Sequence, residues 1–373
     1  MQVPFLDFAA QVRPLRDEVM SAIARVVDSQ KFILGEEVRQ VEEQLAEYCG
    51  ARFAIGCASG SDALLLALKA AEAGPGDEVL TVPFTFFATA GAIVLAGAKP
   101  VFVDVEADTF NMDAAQVERA LDRHPKIKAI LPVHLFGGCA DMDLLNEMAA
   151  ARGLAVIEDA AQSIGSEYKG RRAGSLGTIG CFSFYPTKNL GAFGDGGMCT
   201  TNDESLAERL RALRVHGRTG AYFHEWVGLA SRLDAIQAAV LGVKLKYLDQ
   251  WNERRACHAA LYRRLLAEHA IPVMPPQPAP YQTRHIFHQF VIRCPRDRDG
   301  LQKHLKSRGV GAEVYYPLSL HQQPCFGDLG YREGDFPVSE ELAKTVLALP
   351  VHQDLSEDQI RYAVETIRCY CAS

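Results

Sequence analysis

Between Cys181 and Gly197 the chain reads Cys-Phe-Ser-Phe-Tyr-Pro-Thr-Lys-Asn-Leu-Gly-Ala-Phe-Gly-Asp-Gly-Gly, an apolar run that carries Lys188 into a glycine-rich loop. A lysine amine held away from water loses stabilisation of its charged form, which lowers its pKa by up to roughly 3–5 units on full burial. The neutral amine is a nucleophile suited to Schiff-base formation with a carbonyl compound. A lysine at a strand exit also serves as a plain surface charge, so the meaning of Lys188 depends on partners elsewhere in the chain.

One such partner lies upstream, where Gly153-Leu-Ala-Val-Ile ends at Glu158-Asp159-Ala-Ala-Gln162-Ser163. Four apolar residues in a row read as a buried strand of a parallel sheet, and ligands of open α/β sheets bind beyond the carboxyl ends of such strands. Asp159 and Gln162 would face that crevice. A carboxylate beside a pyridine nitrogen keeps it protonated and lets the ring act as an electron sink. With Lys188 as the Schiff-base amine, this is the chemistry of pyridoxal phosphate (PLP). A helix cap by Glu158 or Asp159 is the competing reading.

Two further segments fit a phosphorylated, planar cofactor. Cys57-Ala-Ser-Gly60-Ser61-Asp62 leads into the helix-forming run Ala-Leu-Leu-Leu-Ala-Leu, so unpaired amides and the positive helix end would make an anion site that Gly60 lets a phosphate approach. Ser183, five residues before Lys188, would add a hydroxyl to the same site. In Val82-Pro-Phe-Thr-Phe86-Phe-Ala-Thr-Ala, Phe86 closes a short apolar run and could stack on a flat ring. Ordinary N-capping and core packing explain these segments equally well when each is taken alone.

Taken in order, Gly60-Ser61-Asp62, Pro83-Phe-Thr-Phe86, Glu158-Asp159-Ala-Ala-Gln162-Ser, Ser183-Phe-Tyr-Pro-Thr-Lys188 and Ser231-Arg232-Leu-Asp234 resemble the PLP-dependent nucleotide-sugar aminotransferases (DegT/StrS type), fold-type-I enzymes of the aspartate aminotransferase superfamily. The resemblance runs from Pro4-Phe-Leu-Asp7 to Leu349-Pro-Val-His352. It implies that Lys188 carries the cofactor, Asp159 pairs with the pyridine nitrogen and Gln162 contacts the ring hydroxyl. It further implies that Phe86 stacks on the ring and that Gly60, Ser61 and Ser183 hold the phosphate. Relatives that dehydrate a deoxysugar carry histidine at the lysine position, so Lys188 favours transamination.

One departure stands out. Where such relatives commonly read Asn-Ser-Arg-Leu-Asp, with the asparagine reaching the neighbouring subunit's PLP phosphate, this chain reads Ala230-Ser-Arg-Leu-Asp. The expectation is weaker PLP retention, or a substitute donor such as Ser231. The resemblance also places the segment from Ala312 through Tyr315 and Tyr316 to His321 near the sugar substrate, and Arg232 in a loop expected from the other subunit. Lys31 and Phe32 are expected to line the same cleft, and His134, after the 129–133 run, to stand behind the contacting residues. Arg232 would clamp an anionic group with its planar fork or form an intersubunit salt bridge. Tyr315-Tyr316-Pro stands where relatives often have His-Tyr-Pro.

The rest of the chain must build a sheet beneath these residues. Apolar runs predict strands over 79–82, 101–105, 129–133, 154–157 and 181–185, alternating with helical stretches, the pattern of a layered α/β fold with a mostly parallel sheet. Val38, Val41, Leu45 and Tyr48 share one face of a helix over 36–48. A helical region over 233–270 runs into five prolines between Pro272 and Pro280, which stop it. Beyond them, a strand over 287–292, a helix over 301–307 and a capping box at Ser356-Glu-Asp-Gln359 predict a smaller α+β domain. The expected domains are residues 1–246, binding PLP, and 247–373.

At 373 residues and 48% hydrophobic, the chain can bury a large core, and its net charge of -7 offers no basic footprint for nucleic acid. No leader and no apolar run near the ~20 residues that span a bilayer are apparent, so a cytoplasmic location is expected. The ten cysteines show no metal-ligand spacing, and free thiols and no metal are expected. No Gly-x-Gly-x-x-Gly follows a strand, which argues against a nicotinamide dehydrogenase.

The reaction expected from the resemblance moves an amino group from an amino acid, L-glutamate, to a keto sugar linked to a nucleotide diphosphate. PLP passes through its pyridoxamine form, and homodimer sites are shared between subunits. Alternatives are a PLP-dependent sugar dehydratase or lyase and a regulatory protein that keeps the fold.

Overall fold

A computed structural model describes residues 1–372. Its centre is a seven-stranded sheet in the order Phe53–Cys57, Gly197–Thr201, Ile179–Ser183, Ala155–Asp159, Ile127–Ile130, Glu78–Thr81 and Lys99–Phe102. Neighbours from Ile179–Ser183 to Lys99–Phe102 run parallel, while Gly197–Thr201 is antiparallel to both of its neighbours. Both faces are covered, which is why strand residues such as Val79, Leu80, Ala129, Ile130 and Ile157 have no exposed surface. The expected α/β architecture with a large, mostly parallel sheet is present.

The parallel strands end earlier than their apolar runs. Ile127–Ile130 stops three residues before Val133, and Ile179–Ser183 stops two before Tyr185. Residues 131–135 are nevertheless buried. Hydrogen bonds continue past the first of these ends, with the Asp159 amide donating to Pro132 O at 2.9 Å and the His134 amide to Asp159 O at 3.0 Å, whereas Tyr185 stands exposed beyond the second. Phe53–Cys57 and the fully buried Gly197–Thr201 were absent from the sequence-based strand set.

The long helical region is two helices, Ala235–Leu245 and Leu248–Glu268, broken at Lys246 and Tyr247. A separate hydrophobic cluster unites Val3, Tyr262, Leu265, Phe290, Ile292, Leu301, Leu347 and Ile360. Val3 reaches it from the N-terminal segment, where its carbonyl accepts the Gly311 amide at 2.8 Å. Ser356 and Gln359 form a reciprocal capping box at the start of Glu357–Cys371. The prolines of 272–280 lie outside any helix. All ten cysteines are free. Among the described residues no helix is long and apolar enough to cross a membrane.

Candidate active site

Alternation along Ala155–Asp159 sends Glu158 and Asp159 to opposite faces. Glu158 points away from the crevice and is fully buried. Its carboxylate accepts the Gly174, Leu176 and Gly177 amides at 2.7–2.8 Å and contacts His134 Nε2 at 3.0 Å. His134 Nδ1 accepts the Ala140 amide at 3.1 Å, so Nε2 carries the ring proton and donates it to Glu158. No helix follows Asp159, and the capping alternative is set aside.

Asp159 faces the crevice. Thr89 Oγ1 donates to its Oδ2 at 2.7 Å, and the Ala161 amide reaches Oδ1 at 3.3 Å. Burial pushes its carboxyl up from the ordinary aspartate value. Lys188 is held in a tight turn, its amide donating to Tyr185 O at 2.8 Å. The residue keeps some surface, but protein surrounds its amine, and desolvation pulls it down to about 8 against the opposing pull of the Asp159 charge. Lys188 thus combines a desolvated amine with electrostatic coupling to Asp159.

Gln162 bridges two parts of the crevice. Its Oε1 accepts the Phe136 amide at 2.8 Å and its Nε2 donates to Tyr316 OH at 3.1 Å. Tyr316 packs near Phe86 with ring centroids 6.3 Å apart, and Tyr315 lies 5.8 Å from Tyr316. Phe86 is 56% exposed, unlike the fully buried Phe84 two residues before it, so one of its faces is free to meet a planar ring.

The Gly60–Ala70 helix begins beside Ser183. Ser59 caps it by accepting the Asp62 amide, which leaves the Gly60 and Ser61 amides outside the helical ladder. A Cβ on Gly60 would stand 2.6 Å from Ser183 Cβ, so any larger residue would fill the space between helix start and strand end. Two open amides, a serine hydroxyl and the positive helix end make a cradle for an anion.

Over residues 14–368 the sequence matches a single family description. The chain belongs to the DegT/DnrJ/EryC1/StrS aminotransferase family. It is 52% identical to the pleiotropic regulatory protein of Geobacillus stearothermophilus, with 98% of each chain covered. It is 44% identical to the dTDP-3-amino-3,4,6-trideoxy-alpha-D-glucose transaminase of Streptomyces venezuelae, covering 98% of this chain and 96% of that one. Among solved structures, DesV of S. venezuelae in complex with a ketimine intermediate matches with a TM-score of 0.96 at 43% identity, over 100% of this chain and 99% of that chain. The cofactor of this aminotransferase family is PLP. The residues present fit it: a cradle for phosphate, a desolvated lysine for the aldehyde, and a buried carboxylate for the ring nitrogen.

Other expected site residues of this aminotransferase fall elsewhere. Lys31 and Phe32 are exposed, and Phe32 O accepts the Ala235 amide at 3.1 Å, which groups them with the loop that carries the half-buried Arg232. His321 is not brought to the crevice surface. Its side chain is fully buried, bonded to Glu340 at 3.1 Å and packed 4.8 Å from the Phe336 ring, because a 3-10 turn over Leu320–Gln322 rotates it inward. Sequence reasoning missed Thr89, although it lies in the quoted Phe86 segment. It also missed His288, whose Nδ1 lies 3.0 Å from Asn189 Oδ1 beside Lys188 and which burial and the Lys188 charge hold well below the ordinary histidine value.

Proposed function

We propose that this protein is a PLP-dependent aminotransferase that carries an amino group from L-glutamate to a keto sugar linked to a nucleotide diphosphate. The product would be an amino sugar for a surface polysaccharide or a secondary metabolite. The observation that carries the reading is a desolvated Lys188 that feels the charge of a buried Asp159, the latter ending a strand at the carboxyl edge of the sheet. Relatives named as nucleotide-sugar transaminases support the substrate class.

When bound, PLP supplies the aldehyde that takes up the amino group and the ring that accepts electrons from the substrate carbon. Lys188 would hold the aldehyde and then move a proton at the substrate carbon, a task for which an amine near 8 is suited. Asp159 would pair with the ring nitrogen. Gln162 would meet the ring hydroxyl, with Tyr316 steadying its amide, and Phe86 would cover one ring face. Gly60, Ser61 and Ser183 would hold the phosphate. Tyr315 and Tyr316 would border the sugar, with Lys31, Phe32 and Arg232 presented from a second copy in a homodimer. The same reading divides the chain into residues 1–246 and 247–373, supported by the helix break at Lys246, and places it in the cytoplasm.

The name of the Geobacillus relative favours a regulatory reading as the second choice. The two readings separate in one experiment. Purified protein is mixed with PLP, its visible absorption is followed during titration with L-glutamate, and Lys188→Ala serves as control. A Lys188-dependent band that glutamate converts supports catalysis. A band indifferent to every amino donor, with no amino-sugar product from nucleotide-linked keto sugars, would favour regulation.

A further inference from the structure

The two carboxylate oxygens of Asp159 stand in unequal surroundings. Oδ2 receives the Thr89 hydroxyl at 2.7 Å, whereas Oδ1 has only the long Ala161 amide contact at 3.3 Å. Thr89 Oγ1 lies 3.1 Å from Thr85 Oγ1. A hydroxyl has one proton to give. Thr89 gives its proton to the carboxylate, so Thr85 must donate to Thr89, and the chain runs Thr85 to Thr89 to Asp159. Both threonines are buried, at 2% and 0% exposure, which removes water as a competing donor. Thr89 is fixed on the Ala88–Leu95 helix, so its direction does not depend on a mobile loop.

We infer that Thr89, backed by Thr85, is a positioning residue for Asp159, occupying Oδ2 so that Oδ1 is the oxygen left to meet the ring nitrogen of PLP. This inference rests on the proposed pairing of Asp159 with that nitrogen. Burial pushes the Asp159 carboxyl up, and the Thr89 hydroxyl is the largest opposing influence, ahead of the Ala161 amide, Lys188 and His134. Tyr316 and Cys181 are the other titratable groups that feel the Asp159 charge. Without the Thr89 hydroxyl, Asp159 would be a poorer anion and a poorer partner for a protonated nitrogen.

The test uses the holoenzyme loaded with PLP labelled with ¹⁵N in the ring, whose nitrogen shift reports protonation, together with the PLP dissociation constant. A hydrogen bond to a charged group contributes about 1.5–3 kcal/mol, so Thr89→Val should lower the pH at which the ring nitrogen loses its proton by about 1–2 units. Turnover should fall roughly 10- to 100-fold, with KM for glutamate changed far less. Thr89→Ser should restore both. Should Thr89→Val fail to fold, Thr85→Val keeps the test decisive, with a smaller shift of the same sign. Asp159→Asn is the reference. If it deprotonates the nitrogen while Thr89→Val and Thr85→Val leave the titration unchanged, the positioning role is overturned and the PLP pairing stands. If Asp159→Asn itself has no effect on the nitrogen, the pairing fails and the inference goes with it.

Discussion

Ser231 donates its hydroxyl to the Asp62 carboxylate at 2.7 Å, and the same oxygen accepts the Ala58 amide at 3.1 Å. The residue has no exposed surface. Its single proton is therefore committed within this chain, tying the 230–232 loop to the start of the Gly60–Ala70 helix. Ser231 has no second proton to give as the substitute phosphate donor that the sequence allowed, and Ala230 is exposed with no side-chain donor of its own.

Ala230→Asn should therefore tighten PLP binding. One added hydrogen bond contributes about 1 kcal/mol, which corresponds to roughly a fivefold lower dissociation constant. Equilibrium dialysis of the two proteins against PLP measures it. An unchanged constant would remove the weak-anchor explanation for Ala230.

The residues legible in the sequence share one property: the strand order itself delivers them. Lys188, Asp159 and Ser183 sit at or just past strand ends, and in an open parallel sheet those ends converge on one crevice. Gly60 was legible through the helix it begins. Thr89 and His288 were not, because their roles depend on which way a side chain turns across elements distant in sequence. The burial of His321 was illegible for the converse reason. This histidine stands only a few residues from Tyr316, yet one 3-10 turn buries it against Glu340 and Phe336. Gly197–Thr201 reads as loop because glycine and two threonines hide a strand whose neighbours enclose it completely.

Glu158 is a structural anion with every near donor accounted for. Three backbone amides and His134 converge on its two oxygens. Glu158→Gln replaces one oxygen by an NH₂ group that faces donors, leaving buried amides unsatisfied. The expected loss is about 3 kcal/mol of unfolding free energy, measured from urea midpoints at unchanged m-value. A loss under about 1 kcal/mol would show that the cluster relaxes around the amide.

Lys244 is a second desolvated lysine, 2% exposed, donating to the Gly191 carbonyl and flanked by the Phe193 and Trp251 rings at 5.6 and 5.9 Å. Burial lowers its amine from 10.5 to about 8. A lowered lysine pKa means that between pH 8 and 10.5 the unfolded chain binds the proton that the folded chain has released, so stability rises with pH in that window. Relative to Lys244→Met, the native protein should gain up to roughly 3 kcal/mol between those limits. Urea unfolding of both proteins at pH 7, 8.5 and 10 checks this, and a constant difference across the three would refute it.

Lys188 carries the corresponding prediction for reactivity. In the cofactor-free protein its amine titrates at about 8, so below that pH it is mostly ammonium and above it mostly nucleophile. Its rate of modification by an amine-selective reagent, followed by mass spectrometry of the Lys188 peptide, should reach half its plateau near pH 8, whereas exposed lysines should still be rising at pH 10. The Asp159 charge is the influence that holds the amine up against burial. Asp159→Asn should therefore move the Lys188 midpoint lower, making the amine a freer nucleophile while removing the partner proposed for the ring nitrogen. A Lys188 midpoint near that of exposed lysines would mean that water reaches the amine and that the crevice does not prepare it for Schiff-base chemistry.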